Sequence, residues 1–83
     1  MSLYLEAQFE AKLPGLGTPI RIMTQYDAAV FIRRWTIRKK DPALKALLRE
    51  MERANSATTL TSAILGLKQA LASRGLLGRV GFA

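Results

Sequence analysis

The sequence predicts an α+β fold in the order ββααα: an N-terminal two-stranded antiparallel hairpin packed against three α-helices, with residues 1–83 forming a single domain. Three observations predict it. Apolar and polar residues alternate strictly near the N-terminus, a Pro/Gly cluster follows, and three later segments repeat apolar residues at helical spacing.

The first strand is expected over 3–13. Leu3, Leu5, Ala7, Phe9, Ala11 and Leu13 fall on one parity, and Tyr4, Glu6, Gln8, Glu10 and Lys12 on the other. Period two over this length describes a strand with one buried and one wet face. Pro14-Gly15-Leu16-Gly17 then supplies a turn of about four residues, because Pro presets a negative φ and Gly permits a positive one. A second strand over 18–23 sets Ile20 and Ile22 opposite Arg21.

The first helix is expected over 25–37. Thr24-x-x-Asp27 reads as a capping box with Asp in the place of Glu, and Ala28, Phe31, Ile32 and Trp35 make one apolar face. The second helix, over 42–54, starts with Asp41 as N-cap and Pro42 at the first helical position, and it repeats the stripe with Leu44, Leu47, Leu48 and Met51. The third, over 57–74, follows Asn55-Ser56, carries Leu60, Ala63, Ile64, Leu67, Ala70 and Leu71, and closes at Gly75. The tail 76–83 either frays or adds a short third strand. A hairpin alone is marginal in water, so its apolar parity must meet the three helical stripes.

Composition removes several function classes. The 83 residues contain no Cys and no His, which excludes disulfides, thiol chemistry, His-based triads and the usual zinc ligands. No cofactor, metal or catalytic residue is expected. Glu6 and Glu10 share the outer strand face, but four residues separate their backbones by about 13 Å. Asp27 and Asp41 have helix-capping work. The hydroxyls of Thr58, Thr59, Thr61 and Ser62 have no imidazole to activate them, and Ser73 and Lys68 lie on different helical faces. Gly15-x-Gly17 joins two strands, so it lacks the strand-to-helix context of a phosphate loop. No apolar run approaches the ~20 residues that span a bilayer and no signal peptide is visible, so a cytoplasmic location and no membrane partner are expected.

Charge is distributed unevenly. Thirteen Lys or Arg against six Asp or Glu give +7, and residues 33–53 hold five of those net charges. Arg33, Arg34, Arg38, Lys39, Lys40, Lys45, Arg49 and Arg53 form a candidate polyanion contact, with the last three aligned at i, i+4 on the side of the second helix away from its leucines. A solubilising basic face is the stronger explanation of that ridge, and nucleic-acid binding is the alternative function. On the first helix, Tyr26, Val30 and Ile37 project away from the Phe31/Trp35 face. The plainer expectation is that the second or third helix covers them, and the functional one is a partner patch bordered by arginines. The long first strand leaves at least one free edge, for which a second copy and the tail compete. The expected role is a small non-enzymatic protein–protein interaction or accessory module whose partner is itself or another protein.

The alternating strand, the turn Gly15-Leu16-Gly17-Thr18-Pro19, the run Asp27-Ala28-Ala29, Trp35 and the closing Gly75-Leu76 together resemble the small bacterial family called domain of unknown function 982. The resemblance spans roughly Phe9 to Leu77 and departs from the family's pattern at Thr36, Met51 and Ile64. It implies a fold and no activity.

Overall fold

In a computed structural model that describes residues 3–80, a three-stranded antiparallel sheet carries three helices in the order β1 (Tyr4–Ala11), β2 (Ile20–Thr24), α1 (Gln25–Arg38), α2 (Pro42–Arg53), α3 (Ala57–Ser73) and β3 (Leu77–Val80). The α+β class follows the sequence pattern, and each helix lies within one residue of its expected bounds. β2 begins two residues later than expected, and the loop before it covers residues 12–19 rather than about four. The tail supplies the third strand as far as Val80; the remainder of the expected tail, 81–83, lies outside the described residues.

The sheet order is β2-β1-β3, so β1 is central rather than an edge strand. Phe9, Glu10 and Ala11 pair with Ile22, Arg21 and Ile20, but the next pair is Tyr4 with Thr24, which leaves Leu5 to Gln8 opposite Met23 alone. This wide bulge breaks the alternation that the sequence displays. Leu5, Phe9, Ala11 and Leu13 are buried as their parity requires, whereas Ala7 is turned out to solvent. β3 meets β1 only beside Phe9 to Ala11, and a Cβ on Gly78 would approach the Glu10 backbone oxygen to 3.0 Å. Only glycine allows β3 to lie this close.

α1 packs on β2, α3 on β1 and β3, and α2 bridges α1 and α3. Phe9, Ile22, Phe31, Ile32, Leu44, Met51, Leu67 and Leu71 are wholly enclosed where these elements meet, and no polar side chain is buried among the described residues. The helix ends are closed as their sequences specify. Thr24 and Asp27 form a reciprocal capping box, as do Ser56 and Thr59. Gly75, at φ +71°, ends α3 in a Schellman turn: its N–H donates to the Ala72 carbonyl and that of Leu76 to the Leu71 carbonyl.

One side chain joins three elements. Gln25 Nε2 donates to the carbonyls of Met51 (2.6 Å) and Ala54 (2.7 Å) at the end of α2, while its Oε1 accepts from the Leu3 N–H (3.3 Å). Its backbone N–H donates to the Leu3 carbonyl. No helix among the described residues is long and apolar enough to cross a membrane.

Candidate functional site

The capping box at Thr24 fixes where α1 begins and therefore which residues face inward. Ala28, Ala29, Phe31, Ile32 and Trp35 are buried. The opposite face carries Tyr26, 63% exposed, and Ile37, 84% exposed, with half-buried Val30 between them. The expectation that α2 or α3 covers this second side is overturned. α2 docks on the Trp35 side, and α3 lies beyond it on the sheet. The physical reason is the connection between α1 and α2, which Trp35 and Asp41 hold on the inner side.

That hold is a cluster centred on Asp41. Its carboxylate accepts from Arg74 Nε (2.6 Å) and Nη2 (2.7 Å), from Trp35 Nε1 (2.9 Å) and from the Leu44 N–H (3.3 Å). The Arg74 fork, against the opposing effect of desolvation and with help from the Trp35 and Leu44 bonds, holds its pKa well below 3.8, at about 2. Asp41 in turn raises the Arg74 guanidinium above its ordinary value. The sequence identified Asp41 as a cap and Trp35 as core. Nothing local in the sequence signals that Arg74, 33 positions away, completes the group.

The candidate polyanion residues fall into two sets. Arg33 is ion-paired with Glu52 across α1 and α2, and Arg38 Nη1 donates to the Pro14 carbonyl (2.7 Å), fastening the β1–β2 loop to the end of α1. Arg34, Lys39, Lys40, Lys45, Arg49 and Arg53 are exposed and make no ion pair among the described residues. Lys39, Lys40 and Lys45 surround a hollow together with Thr36, Ile37 and Pro42. Asp41 also lines it, but its charge is committed to Arg74. The apolar patch and the unpaired cations are therefore contiguous at Ile37, a juxtaposition that reading the two motifs separately does not reveal.

A second apolar hollow lies between β1 and α3, lined by Leu5, Ala7, Leu60, Ile64 and Leu65 and flanked by Glu6 and Lys68. Along it, Tyr4 to Gln8 has no strand partner on the β3 side among the described residues. The hydroxyls do local work. Thr59 caps α3, Thr61 donates back to the Ala57 carbonyl, and Ser73 Oγ donates to the Ala70 carbonyl. Lys68 stands over the Phe9 ring, so it is not brought to Ser73. No group of three or more carboxylates that could hold a metal ion occurs among the described residues.

No protein-family model, curated protein or solved structure matches this chain, so the resemblance noted above stays with the residues that carry it.

Proposed function

We propose that this chain is a non-enzymatic protein-interaction module whose contact surface is the outward face of α1. The observation that carries this reading is the exposure of Tyr26 and Ile37 on a helix whose other face is fully packed. Aromatic and aliphatic anchors bordered by arginine have the composition of a protein interface core. A photoreactive residue in place of Ile37 tests it in the cell. A single protein adduct is expected, and it should be lost when Tyr26 is changed to Ser. Absence of any protein adduct, or one indifferent to Tyr26, rejects the reading.

The same module pairs with a second copy through the stretch of β1, Tyr4 to Gln8, that has no partner on the β3 side among the described residues. The hollow beside that stretch carries one carboxylate and one ammonium, so two copies meet there without the repulsion that a net charge of +7 imposes elsewhere. Light scattering after size exclusion is expected to give a dimer mass. A clean monomer at tens of micromolar removes this part of the proposal and leaves the α1 face untouched.

Nucleic-acid binding through residues 33–53 is the second reading, favoured by the cations of α2 that have no ion-pair partner among the described residues. Anisotropy with a duplex should then show affinity falling steeply between roughly 50 and 200 mM salt. No binding at low salt ends it.

A further inference from the structure

We infer that the shallow groove between α1 and the β1–β2 loop binds an acidic amphipathic helix that presents two apolar side chains seven residues apart with a carboxylate between them. The inference rests on the reading of α1 as a protein-interaction face and specifies the chemistry of what docks there.

Arg34 stands between two surface hollows and lines both. One, of about 250 Å³, is bounded by Ile20, Tyr26, Val30 and Phe31. The other, of about 300 Å³, is bounded by Leu13, Leu16, Ile37 and Arg38. Val30 and Ile37 are seven residues apart on one helix, a separation of about 10 Å along its axis at 1.5 Å per residue. A partner helix has the same rise, so its residues i and i+7 reach the two hollows together. Arg34 lies four residues after Val30 and three before Ile37. The partner residue opposite it is then i+4 for a helix running parallel to α1 and i+3 for an antiparallel one.

Charge selects the residue at that position. Arg34 makes no ion pair among the described residues, whereas its neighbours Arg33 and Arg38 are engaged by Glu52 and the Pro14 carbonyl. Asp27 also borders the first hollow, but its carboxylate accepts from the backbone N–H groups of Met23 (3.1 Å) and Thr24 (3.2 Å). The centre of the groove is a planar guanidinium whose donors are filled by no partner among the described residues, which suits a carboxylate in bidentate geometry. Lys39 and Lys40 continue the positive field just past Ile37. A second copy of this face would set Arg34 and these lysines against their own kind, so self-pairing here is opposed. Phosphates need donors and gain nothing from two hollows lined by Ile, Val, Leu and Phe, which favours a protein segment over nucleic acid.

The test uses an end-capped, Ala-based helical peptide of about eighteen residues, long enough to hold helix, with Leu-Ala-Ala-Glu-Glu-Ala-Ala-Leu at its centre. Its binding is read by fluorescence anisotropy. A second peptide replaces both Glu by Lys. The intact chain is expected to bind the Glu peptide at least tenfold more tightly than the Lys peptide. Arg34→Glu is expected to reverse that preference, and Ile37→Ser to weaken the Glu peptide without changing Trp35 fluorescence. Equal binding of both peptides, or a preference that survives Arg34→Glu, overturns the inference, as does complete displacement of the Glu peptide by a DNA duplex at equal concentration and physiological salt. If these results occur while the Ile37 photo-adduct persists, the interaction face stands and its acidic specificity falls; if the adduct is also absent, both fall.

Discussion

Replacing Asp41 by Asn tests the group that fixes the outward face of α1. The substitution keeps the shape and a capping oxygen but removes the charge that Arg74 grips at 2.6 and 2.7 Å. The Asp41 side chain is only 10% exposed and that of Arg74 26%, so the pair is shielded well enough for its pKa to report on stability. A fall from 3.8 to about 2 corresponds to about 2 kcal/mol of folding free energy. Breaking a fully buried pair from one side costs roughly 3–5 kcal/mol and an exposed pair contributes about 0–1, so the partial exposure of this pair places it between the two, in line with about 2 kcal/mol. A domain of this length holds about 4–12 kcal/mol in all, so the variant should lose a substantial fraction of its stability and melt about 8–16 °C lower. The sign with pH follows from the depressed folded pKa. The contribution is complete above about pH 5, where Asp41 is ionised in both states. It is lost as pH falls through the window from 3.8 to about 2, because the unfolded chain binds the proton first. Urea unfolding read by fluorescence of Trp35, the only tryptophan and itself a donor to Asp41, gives the difference directly. Wild type and Asp41→Asn should differ by about 2 kcal/mol at pH 6 and converge near pH 2. A gap that is constant from pH 6 to pH 2, or one below about 0.5 kcal/mol at pH 6, refutes the assignment.

Arg74→Lys keeps the charge and loses the fork, so chemical denaturation should show it recovering less than half of the stability lost on full removal of the side chain. Gln25→Ala strips two acceptor carbonyls at the end of α2 and one donor at Leu3 of their partner; a loss of about 1–3 kcal/mol is expected in the same assay. Gly78→Ala places a methyl against the Glu10 backbone and should detach β3, seen as lost amide-exchange protection at the Lys12 N–H, which donates to the Leu76 carbonyl. Changing Lys45, Arg49 and Arg53 together to Gln should leave stability within about 0.5 kcal/mol, since all three are exposed and make no ion pair among the described residues, while reducing any salt-sensitive duplex binding.

Most of the architecture was legible because it is written in local periods. The three helical stripes, Thr24 and Asp27, Asp41 and Pro42, and Gly75 each act within one or two turns of their own position. What the sequence concealed is non-local. The alternation of Leu3 to Leu13 implies an unbroken strand, yet the pairing of β1 with β2 shifts register between Tyr4 and Phe9, next to the point where Thr24 both partners Tyr4 and caps α1. Gln25 anchoring the end of α2, and Arg74 reaching Asp41, depend on how three helices assemble. Of the candidate site, the apolar residues on α1 and the basic run were both visible in sequence. Their meeting around Arg34 was not, since Ile20, Leu13 and Leu16 arrive from the hairpin.

The same long-range bonds account for why α1 can present hydrophobic residues to water at all. An exposed Ile or Tyr offers affinity only if the surface beneath it is already in the bound shape, because ordering side chains and loops on association offsets the gain. Here α1 is fixed at its start by the Thr24–Asp27 box and Gln25, and at its end by Trp35–Asp41–Arg74 and by Arg38 on Pro14. The Arg38 bond also carries the loop that brings Leu16 beside Ile37, so one guanidinium sets the wall of the second hollow. None of these fixing groups lies on the line from Tyr26 through Val30 to Ile37. Stability and direct contact are thereby assigned to different side chains: a change at Asp41, the cap of α2, should lower the melting temperature and weaken binding only through loosened positioning of α1, whereas a change at Arg34 or Ile37 should weaken binding with little effect on melting.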